Sequence, residues 1–501
     1  MKTINHILVI LLTASLFACE LNLTPHDGMT KEELSKYPEG ATYATNGNYS
    51  MMKDILEYKG VLDTRNTYAR HFFQLSEFPG DNICLSGATT DHLFYACTYQ
   101  HFATMMNTTY FWYCGYKIIN GANQIIESLQ EAQSDELDQI LGENYFLRAM
   151  AHFDLVRLFA LPYIQGRDNP GVIVRTNSAG MGGPRNTVGE VYDQIVLDLV
   201  KAAGLMNSPR GKGFASQEAA WALLSRVYLY MGENQLVVDY ATDVIESGRF
   251  QLESTATYPE YFKNAVNSNE TIFCIEHVLQ DDKVGGSIGS MYLSDEGLGW
   301  GEIYASLPLR NLLNKHPGDA RLSFIKPEYK KNADGTVATD AQGNPVVAER
   351  NGYPKYYLTK FSYQDGVVTL SSPVVLRLAE MYLNRAEALA KLSREDEALA
   401  DVNLIRKRAG LSGDELYSAG DLHGYASVFD VVLDERRMEL FTEGHRTFDV
   451  FRNNLSLNRS YPGVHLPEGV TTQIIEPTNP RIIYFIPQDE MLVNSDMVQN
   501  D

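Results

Sequence analysis

Two stretches far apart in the chain carry the same helix-pair pattern, and that pattern limits the fold more than any other feature of the sequence. In the first, Trp221, Leu224, Ser225, Tyr228, Val237, Ala241 and Val244 recur at steps of three and four with one break for a turn. In the second, Tyr382, Ala386, Leu389, Ala398, Val402 and Ile405 fall at the same offsets. Steps of three and four place side chains on one helix face. The small residues let two antiparallel helices approach closely. A helical hairpin of this kind cannot cover its own apolar face, so it needs neighbours of the same type. Other stretches supply them. Leu141, Tyr145, Ala149, Phe153, Val156 and Phe159 line a helix that ends near Pro162, and Val188, Tyr192, Ile195, Leu199 and Ala202 line the next. Leu376, Ala379, Leu383, Ala386 and Ala390 line another.

The offsets are those of the tetratricopeptide repeat, whose period is about 34 residues. The two copies are not contiguous, so the expected fold is not a simple solenoid. It is mainly α, a tetratricopeptide-like scaffold of helical pairs with long loop-rich insertions that carry short β-hairpins. The insertions are rich in Gly, Pro, Asn and Tyr and cover roughly 63–110, 162–187 and 250–372. Asp334-Gly335 and Gly343-Asn344 read as hairpin turns. The spacing of Asp334 and Asp340 lacks the alternating oxygen ligands and terminal glutamate of a calcium loop, so it reads as turn chemistry. The resulting division is a processing signal over 1–18, an N-terminal helical half over 19–249, a loop-rich insertion over 250–372 and a C-terminal helical region over 373–501.

The formal net charge of −21 argues against nucleic acid or an anionic membrane surface as partner, since both are repelled at long range. Thirty tyrosines give many rings with an apolar face and a polar edge, a shape that suits sugars, although most serve the core. At the start of the chain Lys2 precedes an apolar stretch from Ile7 to Leu16, too short to span a bilayer as a mature helix. It ends in Leu16-Phe17-Ala18-Cys19, which resembles a bacterial lipobox, so Cys19 is the expected lipidation site and the membrane is reached through an N-terminal lipid anchor. Cys84, Cys97, Cys114 and Cys274 remain. A Cys84–Cys97 disulfide and buried free thiols are both open, and none of the four has metal-ligand spacing with histidine. No HExxH, GxSxG or phosphate loop occurs, and no cofactor is expected.

The C-terminal third holds the specific motifs. Leu376-Arg377-Leu378-Ala379-Glu380-Met381-Tyr382-Leu383-Asn384-Arg385-Ala386-Glu387-Ala388 leads to Asn403-Leu404-Ile405-Arg406-Lys407-Arg408-Ala409-Gly410-Leu411. Then come Asp434-Glu435-Arg436-Arg437-Met438-Glu439-Leu440, Glu443-Gly444-His445-Arg446, Phe448-Asp449 and Tyr484-Phe485-Ile486-Pro487-Gln488. Upstream stand Gly121-Ala122-Asn123, Arg148-Ala149 and Arg157-Leu158-Phe159. In this order the motifs resemble the SusD/RagB family of nutrient-binding outer-membrane lipoproteins of Bacteroidetes, over nearly the whole mature chain. Read as residues alone, Glu435, Arg436, Glu439, Glu443, Arg446 and Asp449 alternate in charge at helical neighbour spacing and predict a buried ion network. Gly444 reads as a helix stop. The closing Ile-Pro-Gln stretch is expected to dock on that network.

The resemblance implies a non-enzymatic, surface-exposed receptor that binds a poly- or oligosaccharide and delivers it to a SusC-like TonB-dependent transporter. It also implies an aromatic platform on the insertions. The candidates for glycan contact are Asp81 and Asn82 in Glu77-Phe78-Pro79-Gly80-Asp81-Asn82, Tyr95 beside Phe94 and Tyr99, and Trp300 with Tyr292 and Tyr304 nearby. Trp300 lies between glycines, which suits either an exposed ring or a buried turn. Trp221 and Trp112 read as core. Two other readings stand beside this one. A tetratricopeptide-type module could bind peptides in a concave groove. A glycoside hydrolase needs two carboxylates about 5 Å or 6.5–9.5 Å apart, and no motif isolates such a pair.

Overall fold

The computed structural model describes residues 38–87, 89–180 and 182–501. The signal segment and Cys19 lie outside the described residues. The helices in chain order are α1 (Pro38–Ser50), α2 (Tyr68–Glu77), α3 (Leu93–Cys97), α4 (Met106–Ser128), α5 (Asp135–Phe159), α6 (Val188–Leu205), α7 (Gln217–Met231) and α8 (Asn234–Glu246). They continue with α9 (Gly289–Tyr292), α10 (Leu307–Leu313), α11 (Leu378–Lys391), α12 (Glu395–Arg408), α13 (Val428–Leu440), α14 (Arg446–Phe451) and α15 (Gln488–Val493). Strands are short and, among the described residues, pair only in twos.

The long helices begin where the backbone N–H groups find a side-chain acceptor. Ser134 caps α5 ahead of Asp135, Glu136 and Asp138, whose charges favour the helix start. Thr187 and Glu190 form a capping box on α6, and Ser216 caps α7. Gly232, at φ +79°, ends α7 and turns the chain into α8. Helices α4 to α8 then pack in sequence order, each on the next, and α8 packs on α11, which packs on α12 and α13. The two tetratricopeptide-like pairs, α7/α8 and α11/α12, are therefore neighbours in space although the whole 250–372 insertion separates them in sequence. Two arginines fasten the stack, one between the pairs and one within the second. Arg226 of α7 makes a two-pronged bond to Glu380 of α11 (2.6 Å each), and Arg385 of α11 does the same to Asp401 of α12 (2.8 Å each).

The insertion leaves and returns at one place. Its strand Thr271–Cys274 pairs antiparallel with Val374–Arg377, immediately before α11. Leu376 thus belongs to that strand and not to the helix that its spacing predicts, because the strand pairing extends up to the first turn of α11. The expected hairpin turns form at Gly335 (φ +85°) and Gly343 (φ +86°). Asp334 accepts from the Thr336 amide (3.0 Å) and Asp340 from those of Gln342 and Asn344 (2.9 Å each), which is turn chemistry. One apolar core contains residues from Tyr49 to Met497, so all three segments of the chain contribute to it. Cys84, Cys97, Cys114 and Cys274 are buried and unpaired.

The C-terminal motifs build the expected buried ion network, but its partners come from distant segments and not from the helical neighbours that the spacing suggests. Arg377, buried, donates to Glu270 (2.9 Å), Glu439 (2.6 Å) and Glu443 (2.7 Å). Glu435 accepts from Arg321 (2.6 Å) and Arg406 (2.9 Å), and Glu439 also meets Arg408. Glu387 receives both arms of Arg452 (2.6 Å each). Burial alone would raise the Glu439 carboxyl, but the guanidiniums of Arg408, Arg377 and Arg321 hold it well below the usual carboxylate range. The closing segment does dock, but on helix ends and not on this network. Tyr484 donates its amide to Leu158 O and its hydroxyl to Leu75 O (2.8 Å each), so the chain end seals α5 and α2. Removing one partner of a buried charge set strands the others. Glu439→Gln is therefore expected to lower the unfolding free energy by about 3–5 kcal/mol in urea denaturation.

Candidate ligand-binding site

Trp300 is 59% exposed, the most accessible tryptophan surface in the described residues. Its loop is built for that exposure. Gly297, Gly299 and Gly301 all have positive φ (+81°, +80° and +54°). A Cβ on Gly299 would fall 2.2 Å from Leu293 O, and one on Gly301 would fall 2.6 Å from the Ser294 Cβ. The loop is stapled to α9 by the Trp300 and Gly301 amides, which both donate to Ser290 O (2.6 and 3.0 Å), and by the Glu302 amide to Met291 O (2.9 Å). The indole N–H donates to Gly285 O (3.0 Å). Its polar edge is thus satisfied internally, and what solvent meets is an aromatic face.

The surroundings continue the surface. Gly286 lies against the backbone of Thr64, which joins the 284–286 turn to the 61–65 loop. Val61, Leu62, Val284 and Leu298 are exposed there. Two charge pairs supply polar edges. Asp63 holds Arg65 through two bonds (3.0 and 2.7 Å), and Arg350 holds Glu302 (3.0 Å). The hydrogen bonds from Arg65 hold the Asp63 carboxyl below its ordinary value, so it stays an acceptor near neutral pH.

Beneath this surface a buried polar cluster fixes the loops. Arg70 donates to Arg65 O (3.0 Å) and to Asp91 (3.1 Å), and Asp91 also accepts from the Leu93 amide at the start of α3 (3.1 Å) and from Asn107 of α4 (3.2 Å). His71 contacts Asn66 (3.1 Å). Burial, aided by the Arg70 charge, pushes the imidazole down to about 3, so it is neutral in this cluster. Among the described residues no cluster of His, Cys, Asp or Glu could hold a metal ion.

Of the six candidate contact residues, Trp300 and Tyr95 keep exposed surface. Tyr95 lies on α3, half-buried, with its ring edge-on to Phe94 (5.6 Å) and Phe102 (5.2 Å). The other four form the floor. Asp81 is 3% exposed and accepts two bonds from Arg446 (2.7 and 3.0 Å), with Arg437 at 3.3 Å. Asn82 is buried, donating to Glu77 (3.0 Å) and accepting from Arg437 (2.9 Å). Tyr292 packs between Phe78 and Phe361 (6.3 and 5.7 Å), and Tyr304 packs on Tyr357 (5.6 Å), both buried. These four therefore offer no surface to a ligand in this structure. Their expected sugar contacts give way to a supporting role: the strand 83–85 that follows Asn82 pairs with the strand 303–305 that carries Tyr304, and the Ser86 amide donates to Glu302 O (2.9 Å), two residues beyond Trp300. Sequence reasoning did not single out Arg65, Val284 or Arg350. Of these only Arg65, in a charged and turn-rich loop, carried any local signal. Trp112 is buried, and Trp221, read as core from its repeat position, is half-buried against the core.

The pattern of the SusD family matches residues 279–501, and that of a second family, described as starch-binding and associating with the outer membrane, matches residues 44–229. The chain belongs to the SusD/RagB family. SusD-like protein P2 of Formosa agariphila is 27% identical over 78% of this chain and 79% of its own length, and a SusD-like protein of Bacteroides ovatus is 24% identical over 70% and 67%. Among solved structures, a SusD superfamily protein of Bacteroides thetaiotaomicron is 29% identical and superposes with a TM-score of 0.80 over 93% of this chain and 99% of that one. A putative sugar binding protein of Bacteroides vulgatus is 26% identical with a TM-score of 0.75, over 92% and 98%. The helical tetratricopeptide-like fold is thus that of the SusD superfamily. Among the described residues of this SusD-family chain, no helix is long and apolar enough to cross a membrane.

Two outcomes follow for the platform and its floor. Gly299→Ala is expected to destabilise the protein by about 1–3 kcal/mol in urea denaturation and to change acrylamide quenching of tryptophan fluorescence, because the loop must move. Asp81 responds to acid. Burial alone would raise its carboxyl, but Arg437 and Arg446 hold it at about 2, below the ordinary 3.8. A lowered folded value gives stability that is present above the ordinary value and is lost as pH falls through the folded one. The stability gap between the protein and Asp81→Asn should therefore be largest above about pH 4 and close towards about pH 2, followed by denaturation at each pH.

Proposed function

We propose that this SusD-family chain is a cell-surface glycan receptor, anchored through a lipid on Cys19, that captures a poly- or oligosaccharide and delivers it to a SusC-like TonB-dependent transporter. The observation that carries the binding half is the exposed ring of Trp300, whose indole N–H and backbone amide are already satisfied within the protein. A sugar ring presents C–H groups on its face and hydroxyls on its edge. The indole face takes the former, and the Asp63–Arg65 and Arg350–Glu302 pairs beside it take the latter. Burial of ring surface contributes about 25 cal/mol per Å². Tyr95, half-buried on α3 beside Phe94 and Phe102, is a second aromatic candidate. The second matching family, described as starch-binding and associating with the outer membrane, supports both the ligand class and the location. Delivery to a transporter rests on family membership.

Binding without turnover is the corollary. A glycosidic bond needs an acid and a second carboxylate on either side of an accessible cleft. Glu77, which burial pushes up to about 7, has the proton affinity of a general acid, but it is fully buried and accepts from Asn82. The platform carboxylates Asp63 and Glu302 each pair with an arginine, and Arg65 holds the Asp63 carboxyl below its ordinary value.

Calorimetry of the protein against a panel of neutral plant and host glycans is expected to show saturable binding, which Trp300→Ala weakens by about 1–3 kcal/mol. Unchanged affinity in a folded Trp300→Ala protein would remove that ring from the site. New reducing ends accumulating with time would replace the receptor reading with a hydrolase.

A further inference from the structure

A cleft of about 710 Å³, well within the range of small-ligand sites, opens between α4, the 173–182 loop and α15. It shares no lining residue with the Trp300 platform. Its walls are the rings of Tyr58, Trp112, Tyr113 and Tyr116. Each ring is held by its polar end. Tyr58 donates to Asp489, Tyr113 to Glu57 O (2.9 Å) and Tyr116 to Ile173 O (2.9 Å), and the Trp112 N–H points to Glu490 (3.4 Å). Trp112 is further wedged edge-on against Phe159 (5.0 Å). These rings meet the cleft as fixed apolar surfaces.

The charges around them are unbalanced. Lys59 is neutralised by Asp489 (2.7 Å). Glu490 accepts from two neutral donors, Trp112 and Asn494 (2.9 Å), and keeps its charge at the α15 edge of the cleft. Lys117 and Arg175 both line the cleft, and among the described residues neither has a carboxylate at ion-pair distance. Lys117 lies 5.2 Å from the Tyr113 ring centre, and among the described residues the Arg175 guanidinium donates to a main-chain carbonyl, Gly182 O. In a chain of net charge −21, a lining with three cations against two carboxylates, the excess carried by Lys117 and Arg175 beside an aromatic wall, forms a local site for an anion that also carries an apolar face.

We propose that this cleft is a second ligand site, separate from the platform, that takes a short acidic saccharide: one sugar face on the aromatic wall and its carboxylate or sulfate between Lys117 and Arg175. The shared chemistry is an anionic group on a saturated ring. Charge-assisted bonds to the two cations set the preference over a neutral sugar of the same size.

The test is calorimetry with trigalacturonate, a sulfated galactose disaccharide and uncharged galactotriose. The titrations use the unaltered protein, Trp300→Ala, the double variant Lys117→Gln/Arg175→Gln, and Asn120→Asp, which adds a negative charge at an exposed position on the cleft lining. At least one acidic probe is expected to bind the unaltered protein and Trp300→Ala alike, and to bind the double variant and Asn120→Asp about tenfold more weakly or worse. Galactotriose is expected to bind the cleft about tenfold more weakly than that probe. The two acidic probes tell carboxylate from sulfate. Three results would overturn the proposal: no binding of either acidic probe, equal binding of galactotriose at Lys117 and Arg175, or loss in Trp300→Ala with the double variant unaffected. The last would place acidic sugar on the platform. Because Lys117 is exposed and Arg175 only half-buried, a melting curve that matches the unaltered protein is expected for the double variant. Asn120→Asp removes no contact and keeps the test decisive if that variant melts early. Trp300→Ala separates this site from the platform reading, since each can fail without the other.

Discussion

Arg377 holds three carboxylates from two distant segments of the chain: Glu270 at the base of the long insertion, and Glu439 at the end of α13 with Glu443 just beyond it. Every one of these groups is buried, so each charge must be matched where it sits. Replacing such a set with apolar residues of similar volume would cost little stability, whereas mismatching it costs several kcal/mol. The consequence is registration. The insertion, α11 and α13 fit together in one arrangement, and any slip leaves a charge without a partner in a medium that cannot solvate it. The remainder of the architecture depends on this clamp, because it fixes where the insertion stands relative to the helix stack.

From the clamp a series of short, rigid links leads to the exposed ring. Helices α13 and α14 present Arg437 and Arg446 to Asp81 and Asn82. The next residues form a strand against residues 303–305. That strand begins two residues after Gly301, and the loop before it is tied to α9 through Ser290 and Met291. Arg70 and Asp91 brace the opposite side. No link is a long flexible side chain in water. A ligand that settles on Trp300 therefore meets a surface that is already ordered, and little of the binding energy is lost to fixing it. Asp81 and Asn82, both buried against arginines, stand in this support and present no surface of their own.

The helices were legible in the sequence because their signal is local. The spacing of Phe153, Val156 and Phe159, or of Ala398, Val402 and Ile405, states which face is buried without reference to any other part of the chain. The glycines around Trp300 were nearly as informative, since positive φ and a 2.2 Å clearance are properties of one loop. They could not say which side of the loop faced water, and both outcomes stayed open on sequence alone. Asp81 and Asn82 failed for a different reason. A Pro-Gly-Asp-Asn turn reads the same whether its carboxylate faces solvent or an arginine that arrives more than three hundred residues later. The same blindness hid the role of Tyr292 and Tyr304, whose neighbours Phe78, Phe361 and Tyr357 come from elsewhere. Long-range partners decide burial, and spacing does not encode them. Leu376 shows the local limit: its position fits a helix, but the strand Thr271–Cys274 claims its backbone first.

The separation between scaffold and platform has a physical basis in how the insertion is closed. Its two ends meet in a strand pair directly ahead of α11, and α8 packs on α11 as though nothing intervened. A loop closed in this way can change length or content at small entropic cost, since that cost grows only with the logarithm of length. The helix faces have no such freedom, because each is covered by the next and a lost methylene is felt at once. Side chains on the excursions can therefore be exchanged to suit different ligands while the stack stays constant. The two surfaces here illustrate the point from opposite ends: the platform is carried by loops that the clamp positions, whereas the aromatic cleft is cut largely into α4 itself and shares its rings with the core.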